Sequence, residues 1–346
     1  MEVESYTFDS SNREDLSDVI YNIDPTETPF VSGCERGVAT NKKHEWQIDE
    51  LVTEGMNANA EGADYTASYD TRPEPDRLFN YTQISAKNLS VTGTQEAIEH
   101  AGRKSELAYQ MAKMGLEIRR DIEYQMLSGL SGAEADSLTG ANAVDGAGAP
   151  IFAGTSGAGG NARVAGSIST WIFTNQSVGT GGTPQSVTSN QPAAGDVYEV
   201  GTARAFLESH LKEVIRKCYI EGGNPSHVFV DPFNKQAVSA MTGGTTRFDQ
   251  SEDRRLVTAV DVYVSDFGEH MIIPDRFLKQ NGTDGSDGVS AYVMDMTKWG
   301  IHYLRPFMQE NLARIGDAVN RLLIAEWTLC SKNQASSGMV RDLTDQ

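Results

Sequence analysis

The stretch "RLFNYTQISAKNLSVTGTQEAIEHAG", Arg77 to Gly102, holds a strand, a turn and the start of a helix. Successive side chains of a strand point to opposite sides, so a strand half-buried in its own domain alternates apolar and polar residues. Here one face reads Tyr81, Gln83, Ser85, Lys87, Leu89 and Val91, and the other Thr82, Ile84, Ala86, Asn88, Ser90 and Thr92. Neither is a core wall along its whole length, so something outside the strand has to complete it. Upstream, "KKHEWQIDELVT" (Lys42 to Thr53) sets Trp46 and Ile48 against Glu45, Gln47 and Asp49, the pattern of a strand that pairs with the first. The residues between, "EGMNANAEGADYTASYDTRPEPDR", are rich in Gly, Asn, Asp and Pro and read as loop. A two-stranded ribbon with an extended tip is predicted, and isolated ribbons are marginally stable in water.

After "VTGT" the apolar period changes: Ile98, Ala101, Ala108, Met111, Gly115, Ile118, Ile122 and Met126 recur at helical spacing. Thr92 and Gln95 fit a capping box. A helix from Thr94 to Ser128 would hold ~35 residues and span ~52 Å, a spine rather than a local packing element. Its other side, with Lys113, Glu117, Arg120 and Asp121, reads as solvated.

Two Gly/Ser/Thr-rich segments, Gly129 to Gly160 and Thr174 to Asp196, read as surface loops tolerant of shortening, around the ordered "ARVAGSISTWIF". Next comes a helix ending at Gly222-Gly223, a buried strand "HVFV", and a helix started by Asp231-Pro232. "RLVTAVDVYVSDFGEHMIIPDRFL" adds strands around the turn "DFGEH", and "GVSAYVMDMTKWGIHYL" a further pair. The tail "NLARIGDAVNRLLIAEWTLCSKN" fits a helix through Leu312, Ile315, Val319 and Leu322, and a strand through Leu323, Ala325, Trp327 and Leu329. "LSDVIYNI" (Leu16 to Ile23) makes a short helix within an otherwise polar first forty residues.

With 346 residues the chain is large enough to bury a substantial core, and its 33 Gly point to many turns. A formal charge of -19 opposes tight nucleic-acid binding and makes identical copies repel one another. No apolar run is long enough to span a bilayer, and the acidic start "MEVESYTFDSSNRED" has no secretory pattern. Cys34, Cys218 and Cys330 form no C-x-x-C pair and read as reduced and buried. The six His lack metal-ligand spacing, and phosphate-loop, dinucleotide and G-x-S-x-G motifs are missing, so no cofactor is implied. "NGTDGSDG" places Asp284 and Asp287 among glycines but lacks the downstream Glu of a calcium loop, and reads as a solvated turn.

The order of arm, polar hairpin, spine helix, compact α+β unit and β-rich return resembles that of tailed-bacteriophage major capsid proteins with the Hong Kong 97-type fold, in particular a podovirus-like subgroup. "TPF" (Thr28 to Phe30), "HEWQIDEL" (His44 to Leu51), "NYTQIS" (Asn80 to Ser85), "VTGTQEA" (Val91 to Ala97), "ELAYQMAKMGLEIRRDIE" (Glu106 to Glu123) and "ARVAGSISTWI" (Ala162 to Ile172) carry the resemblance. It implies an α+β subunit with an N-arm (1–40), an extended loop (41–93), a peripheral domain (94–202) with a spine helix (94–128), an axial domain (203–290) and a return to the peripheral domain (291–346). The ribbon would then be buried in part by other subunits. Trp46, Ile48, Arg72, Arg77, Tyr81, Gln83 and Lys87 are the expected inter-subunit contacts, and Ile98, Met111, Ile118 and Ile122 the packing face of the spine. The implied partners are further copies in hexamers and pentamers, scaffolding, portal and decoration proteins, and packaged DNA held without sequence specificity. The place of action is the virion, after assembly in a host cytoplasm, with no membrane involved. An isopeptide cross-link is not carried over, because Lys42 and Lys43 sit at the hairpin base and no partner Asn is identified. A soluble enzyme with an unpaired site and a tail or adhesion protein are the competing readings; the missing catalytic constellation weighs against the first, and the single long helix and lack of repeats against the second.

Overall fold

The computed structural model describes residues 26–52, 54–56, 58, 60–62, 72–99, 102–128, 162–187, 190–192, 201–241, 261–278, 289–314 and 316–344. In chain order the elements are α1 (Pro29–Gly33), β1 (Glu35–Val38), β2 (Lys43–Ile48), β3 (Asp76–Tyr81), β4 (Gln83–Thr92), α2 (Gly93–Ala97), α3 (Glu106–Ser128), α4 (Ile168–Trp171) and β5 (Gln176–Ser177). They continue with α5 (Glu208–Ile220), β6 (His227–Val230), α6 (Pro232–Ala240), β7 (Val262–Ser265), β8 (Gly268–Pro274), β9 (Val289–Met294), β10 (Trp299–Asn311), β11 (Ala318–Ser331) and β12 (Gly338–Leu343). The predicted Leu16–Ile23 helix, the Gly129–Gly160 segment and the Asp284/Asp287 turn lie outside the described residues.

The strands make three sheets: β1-β10-β11-β4, β5-β12-β9-β6-β8-β7, and the pair β2-β3. α3 lies against β4 and β11. Around it, Phe30, Ile118, Ile122, Met126, Trp171, Trp299 and Trp327 form one core. A second core, with Leu211, Val214, Cys218, Val228, Val230 and Val293, fills the space between α5 and the six-stranded sheet. Asp231 caps α6 by accepting from the Phe233 and Asn234 amides, as its sequence predicts. The ambiguous tail is the strand β11, because its backbone is paired on both sides, to β10 and to β4. The strands of "GVSAYVMDMTKWGIHYL" do not pair with each other: β9 joins the six-stranded sheet and β10 the four-stranded one.

The spine helix is shorter than its periodicity predicts. Thr92 does cap a helix, accepting from the Gln95 amide at 3.3 Å, but that helix ends at Ala97. Gly102 has a φ of +73°, a left-handed conformation that breaks a right-handed helix at no steric penalty for glycine. A new helix then starts, with Ser105 Oγ accepting from the Ala108 amide and the Glu96 carboxylate reaching across to the Ser105 hydroxyl and the Leu107 amide. The 23 residues of α3 span ~34 Å at ~1.5 Å per residue. Ile98 therefore does not belong to the packing stripe and is 53% exposed. Met111 is half-buried, while Ile118 and Ile122 lie fully in the core with Met114 and Met126.

Of the expected N-arm, Phe30, Val31 and Cys34 enter the first core. One more expectation needs correcting. The Thr174–Asp196 segment is not a dispensable loop: Asn175, Gln176 and Ser177 are buried, β5 pairs in parallel with β12, and the Gly179 amide donates to Asp342 at 2.7 Å. At Asn175 to Ser177 the polar composition reflects buried hydrogen bonds, whereas Thr180, Gly181, Thr183, Pro184 and Ser186 are exposed.

α1 is pinned to α3 by a carboxylate. The Phe30 and Val31 amides each donate to Glu123 at 2.7 Å, and Glu123 in turn meets the buried Asp275. Burial, with the neighbouring carboxyl, raises the Glu123 proton affinity well above the carboxylate range, and burial also raises that of Asp275. Two carboxyls in contact away from water need a proton between them. A pKa raised in the folded state gives stability that is complete below the ordinary carboxylate pKa and is lost as pH rises through the raised value, by up to ~1.4 kcal/mol per pH unit for one proton. The urea midpoint should fall as pH rises from 5 towards 9. Glu123→Gln, which is neutral throughout and offers an amide donor to Asp275, should flatten that difference; a parallel pH profile for the two proteins would show that the pair does not share a proton.

Candidate assembly surface

The polar strand is completed by its own chain. Its two halves have different partners: β3 pairs antiparallel with β2, Lys43 opposite Tyr81 and Ile48 opposite Asp76, whereas β4 pairs antiparallel with β11 from Thr92 opposite Ala318 to Gln83 opposite Trp327. The face of Gln83, Ser85, Lys87, Leu89 and Val91 is polar because what it meets is polar. Lys87 bridges Glu117 and Asp121 of α3 at 3.1 and 3.0 Å. Ser85 accepts from the Trp327 indole at 3.0 Å, and Gln83 accepts from the Ala165 amide at 3.2 Å. The other face, with Ile84, Ala86, Asn88 and Ser90, is exposed.

The change of partner occurs at Thr82, which is buried. Its amide donates to the Lys42 carbonyl at 2.9 Å, and its hydroxyl donates to Glu326 at 2.8 Å. Glu326 is also buried and receives Arg305 at 2.8 Å and Arg163 in a shorter ion pair. Next to it Asn80, fully buried, donates to the Leu329 carbonyl at 2.8 Å and accepts from the Gly166 amide at 2.9 Å. Trp46 donates to the Ser331 carbonyl at 2.8 Å and packs on Trp171 with ring centres 5.3 Å apart. The ribbon is thus anchored at its root by both apolar packing and a polar clamp.

Beyond the root the character reverses. Every described residue between β2 and β3 is exposed, and these include Leu51 at 96%, Met56 at 97% and Val52 at 57%. Apolar side chains that find nothing to cover them among the described residues mark a surface that another molecule can cover. Of the seven expected contact residues, Trp46, Ile48, Gln83 and Lys87 are engaged in their own subunit, and Tyr81 is half-buried beside Phe79. Arg77 pairs with Glu45 at 2.8 Å while remaining largely open, and Arg72 is exposed. Leu51 and Met56 are not among the expected contacts because they sit in loop composition; two apolar residues amid polar ones were the available signal of their exposure.

The family model of the SU10 major capsid protein matches residues 3–344. The chain belongs to that family. It is 25% identical over 335 residues to the major capsid protein of Escherichia phage Phieco32, with 92% of this chain and 90% of the relative covered. Among solved structures it is similar to the capsid of a native GTA particle, with a TM-score of 0.60 at 10% identity over 99% of both chains. It is similar also to a chain of Microbacterium phage Oxtober96, with a TM-score of 0.58 at 11% identity over 100% of both. The α+β fold is the Hong Kong 97-type capsid fold, and the protein is a tailed-phage major capsid protein, a subunit of the head shell.

Removing the clamp should be costly in a way that removing exposed side chains is not. Asn80→Ala leaves the Gly166 amide and Leu329 carbonyl buried without their partner, which should destabilise the subunit by about 2–4 kcal/mol in chemical denaturation. Ile84→Ser, on the open face, should change stability by less than about 0.5 kcal/mol. Equal effects would mean that the root is not closed as described.

Proposed function

We propose that the segment between β2 and β3, Asp49 to Pro75, is the extended loop that lies on a neighbouring subunit, with Arg72 and Arg77 at its base as polar contacts. The single observation behind this reading is the contrast between a root buried in its own core and a loop whose Leu51, Val52 and Met56 are exposed. The unit built on the six-stranded sheet is proposed as the axial part of the capsomer. It includes β9 and β12 from the segment expected to return, so the unit is discontinuous in sequence. The unit of α3 and the four-stranded sheet is proposed as the peripheral part. Copies form hexamers and pentamers of an icosahedral shell around double-stranded DNA, which the net charge of -19 leaves without tight or sequence-specific contacts. Scaffolding, portal and decoration proteins are proposed partners, assembly takes place in the host cytoplasm, and the role is structural without catalysis.

Replacing Leu51 to Glu74 by a short Gly-Ser linker should keep the circular dichroism spectrum and unfolding midpoint of the subunit but abolish closed shells by electron microscopy. Cutting further, to Glu45 and Ser90, would remove Trp46, Leu78, Asn80 and most of β4, and should destroy the fold. Normal shells without residues 51–74 would overturn the assignment. Because each copy carries -19, light scattering should show assembly accelerating from very low ionic strength to moderate salt or magnesium. Assembly fastest at the lowest salt would remove charge repulsion as a controlling force.

A further inference from the structure

The root of the loop brings together three side chains that are far apart in sequence. His44 on β2, His302 on β10 and Cys330 on β11 each offer a ligating atom, and these atoms all lie within 4.8 Å of one another. His302 Nδ1 and His44 Nε2 are 2.6 Å apart in a hydrogen bond. The sheet register explains the convergence. Gly300 stands opposite Cys330, so His302, two residues on, shares the face of Cys330 and is its diagonal neighbour. In the parallel pair on the other side, Gly37 stands opposite His302. Both glycines keep that face clear: a Cβ at Gly37 would sit 2.5 Å from the His302 ring, and one at Gly300 would sit 3.1 Å from His302 Nε2. The His302 ring is therefore seated with its Nε2 edge over glycine and its Nδ1 towards His44.

We propose that His44, His302 and Cys330 form a binding site for a borderline-soft divalent cation, zinc above all, that ties the first strand of the loop root to the four-stranded sheet. Two imidazoles and a thiolate are a zinc ligand set, with a fourth position left for water. A tetrahedral centre with ordinary Zn–N and Zn–S lengths sets its ligand atoms about 3.3–3.6 Å apart. The two nitrogens would open by under about 1 Å and the sulfur would close by up to about 1.2–1.5 Å. A neutral imidazole has one lone pair to offer a metal and one N–H. One of the two facing nitrogens carries the N–H of the hydrogen bond between the rings, so metal binding breaks that bond and moves this proton, through solvent, to the nitrogen of the same ring turned away from the metal, leaving one N–H on each imidazole. The Cys330 thiol gives its proton to solvent as the Zn–S bond forms. Lys332, two residues on, pairs with Glu35. Binding releases one proton from the thiol and thus tightens as pH rises.

This inference does not depend on the assembly reading, because its readout is metal bound per chain. Full-length protein, freed of metal with a chelator, is titrated with zinc against a chromophoric competitor, and with cobalt while the near-ultraviolet thiolate-to-cobalt band is followed. One zinc per chain, the cobalt band, and at least a tenfold weakening in Cys330→Ser and in His44→Ala are expected, with a zinc-dependent rise in Tm that both variants lose. Neither variant removes a fully buried large side chain, and circular dichroism confirms that each is folded before titration. Zinc binding that is unchanged in both variants would place it on the acidic surface and overturn the proposal, as would no stoichiometric binding in the parent protein.

Discussion

The whole arrangement turns on one change of partner. Residues 76 to 92 run as an almost continuous strand, yet before Thr82 they pair with β2 and after it with β11. A strand can leave one sheet for another only if the backbone groups at the crossing are satisfied, because an unpaired buried amide or carbonyl costs as much as a lost hydrogen bond. Thr82 and Asn80 meet that demand, with the Lys42 and Leu329 carbonyls, the Gly166 amide and the Glu326 carboxylate as partners. Everything beyond the crossing can then leave the body of the subunit, and everything before it in space, α3 included, stays packed on the four-stranded sheet.

The clamp is polar where a core is ordinarily apolar, and the difference has a physical sense. Apolar contact is proportional to area and is almost indifferent to direction, so a root held only by Trp46 and Leu78 could tilt with little penalty. Two guanidiniums and a hydroxyl on one buried carboxylate admit few geometries. Desolvating such a cluster offsets much of its Coulombic attraction, so its contribution is less to stability than to a single loop direction. For the proposed contact of the loop with a neighbouring subunit that direction would matter, since an angular error at the root grows with distance along the loop.

Periodicity made the amphipathic second half of α3, the α5-β6-α6 unit and the β7-β8 hairpin legible, because each carries a local signal of its own: an apolar stripe on α3 and α5, the Asp231 cap on α6, and a turn between β7 and β8. It overran at Ile98, where Gly102 and Ser105 were the local signals and a continuing apolar count hid them. The strand β4 was legible as a strand but not as to its partner. Its polar face matches Glu117, Asp121 and the Trp327 indole, and complementarity between polar groups so far apart in sequence leaves no periodic trace. The Thr174–Asp196 segment failed for the same reason: Asn175 and Gln176 have the composition of a loop and the environment of a core. His44, His302 and Cys330 converge through sheet register alone, which no spacing rule reads.

Charge sets the balance between folding and assembly. A surplus of 19 negative charges is tolerable in a monomer, but each contact between copies brings such surfaces together. A loop that projects several exposed apolar residues from a rigid root concentrates attraction at one place, while repulsion acts over a Debye length of about 8–10 Å across the rest of the surface. The attraction is short-ranged and specific, and the repulsion is long-ranged and screened by salt. If the loop seats on a neighbouring copy as proposed, copies so built would reject loose, misaligned contacts and retain those in which the loop finds its seat, which is the discrimination that a closed shell of identical subunits requires.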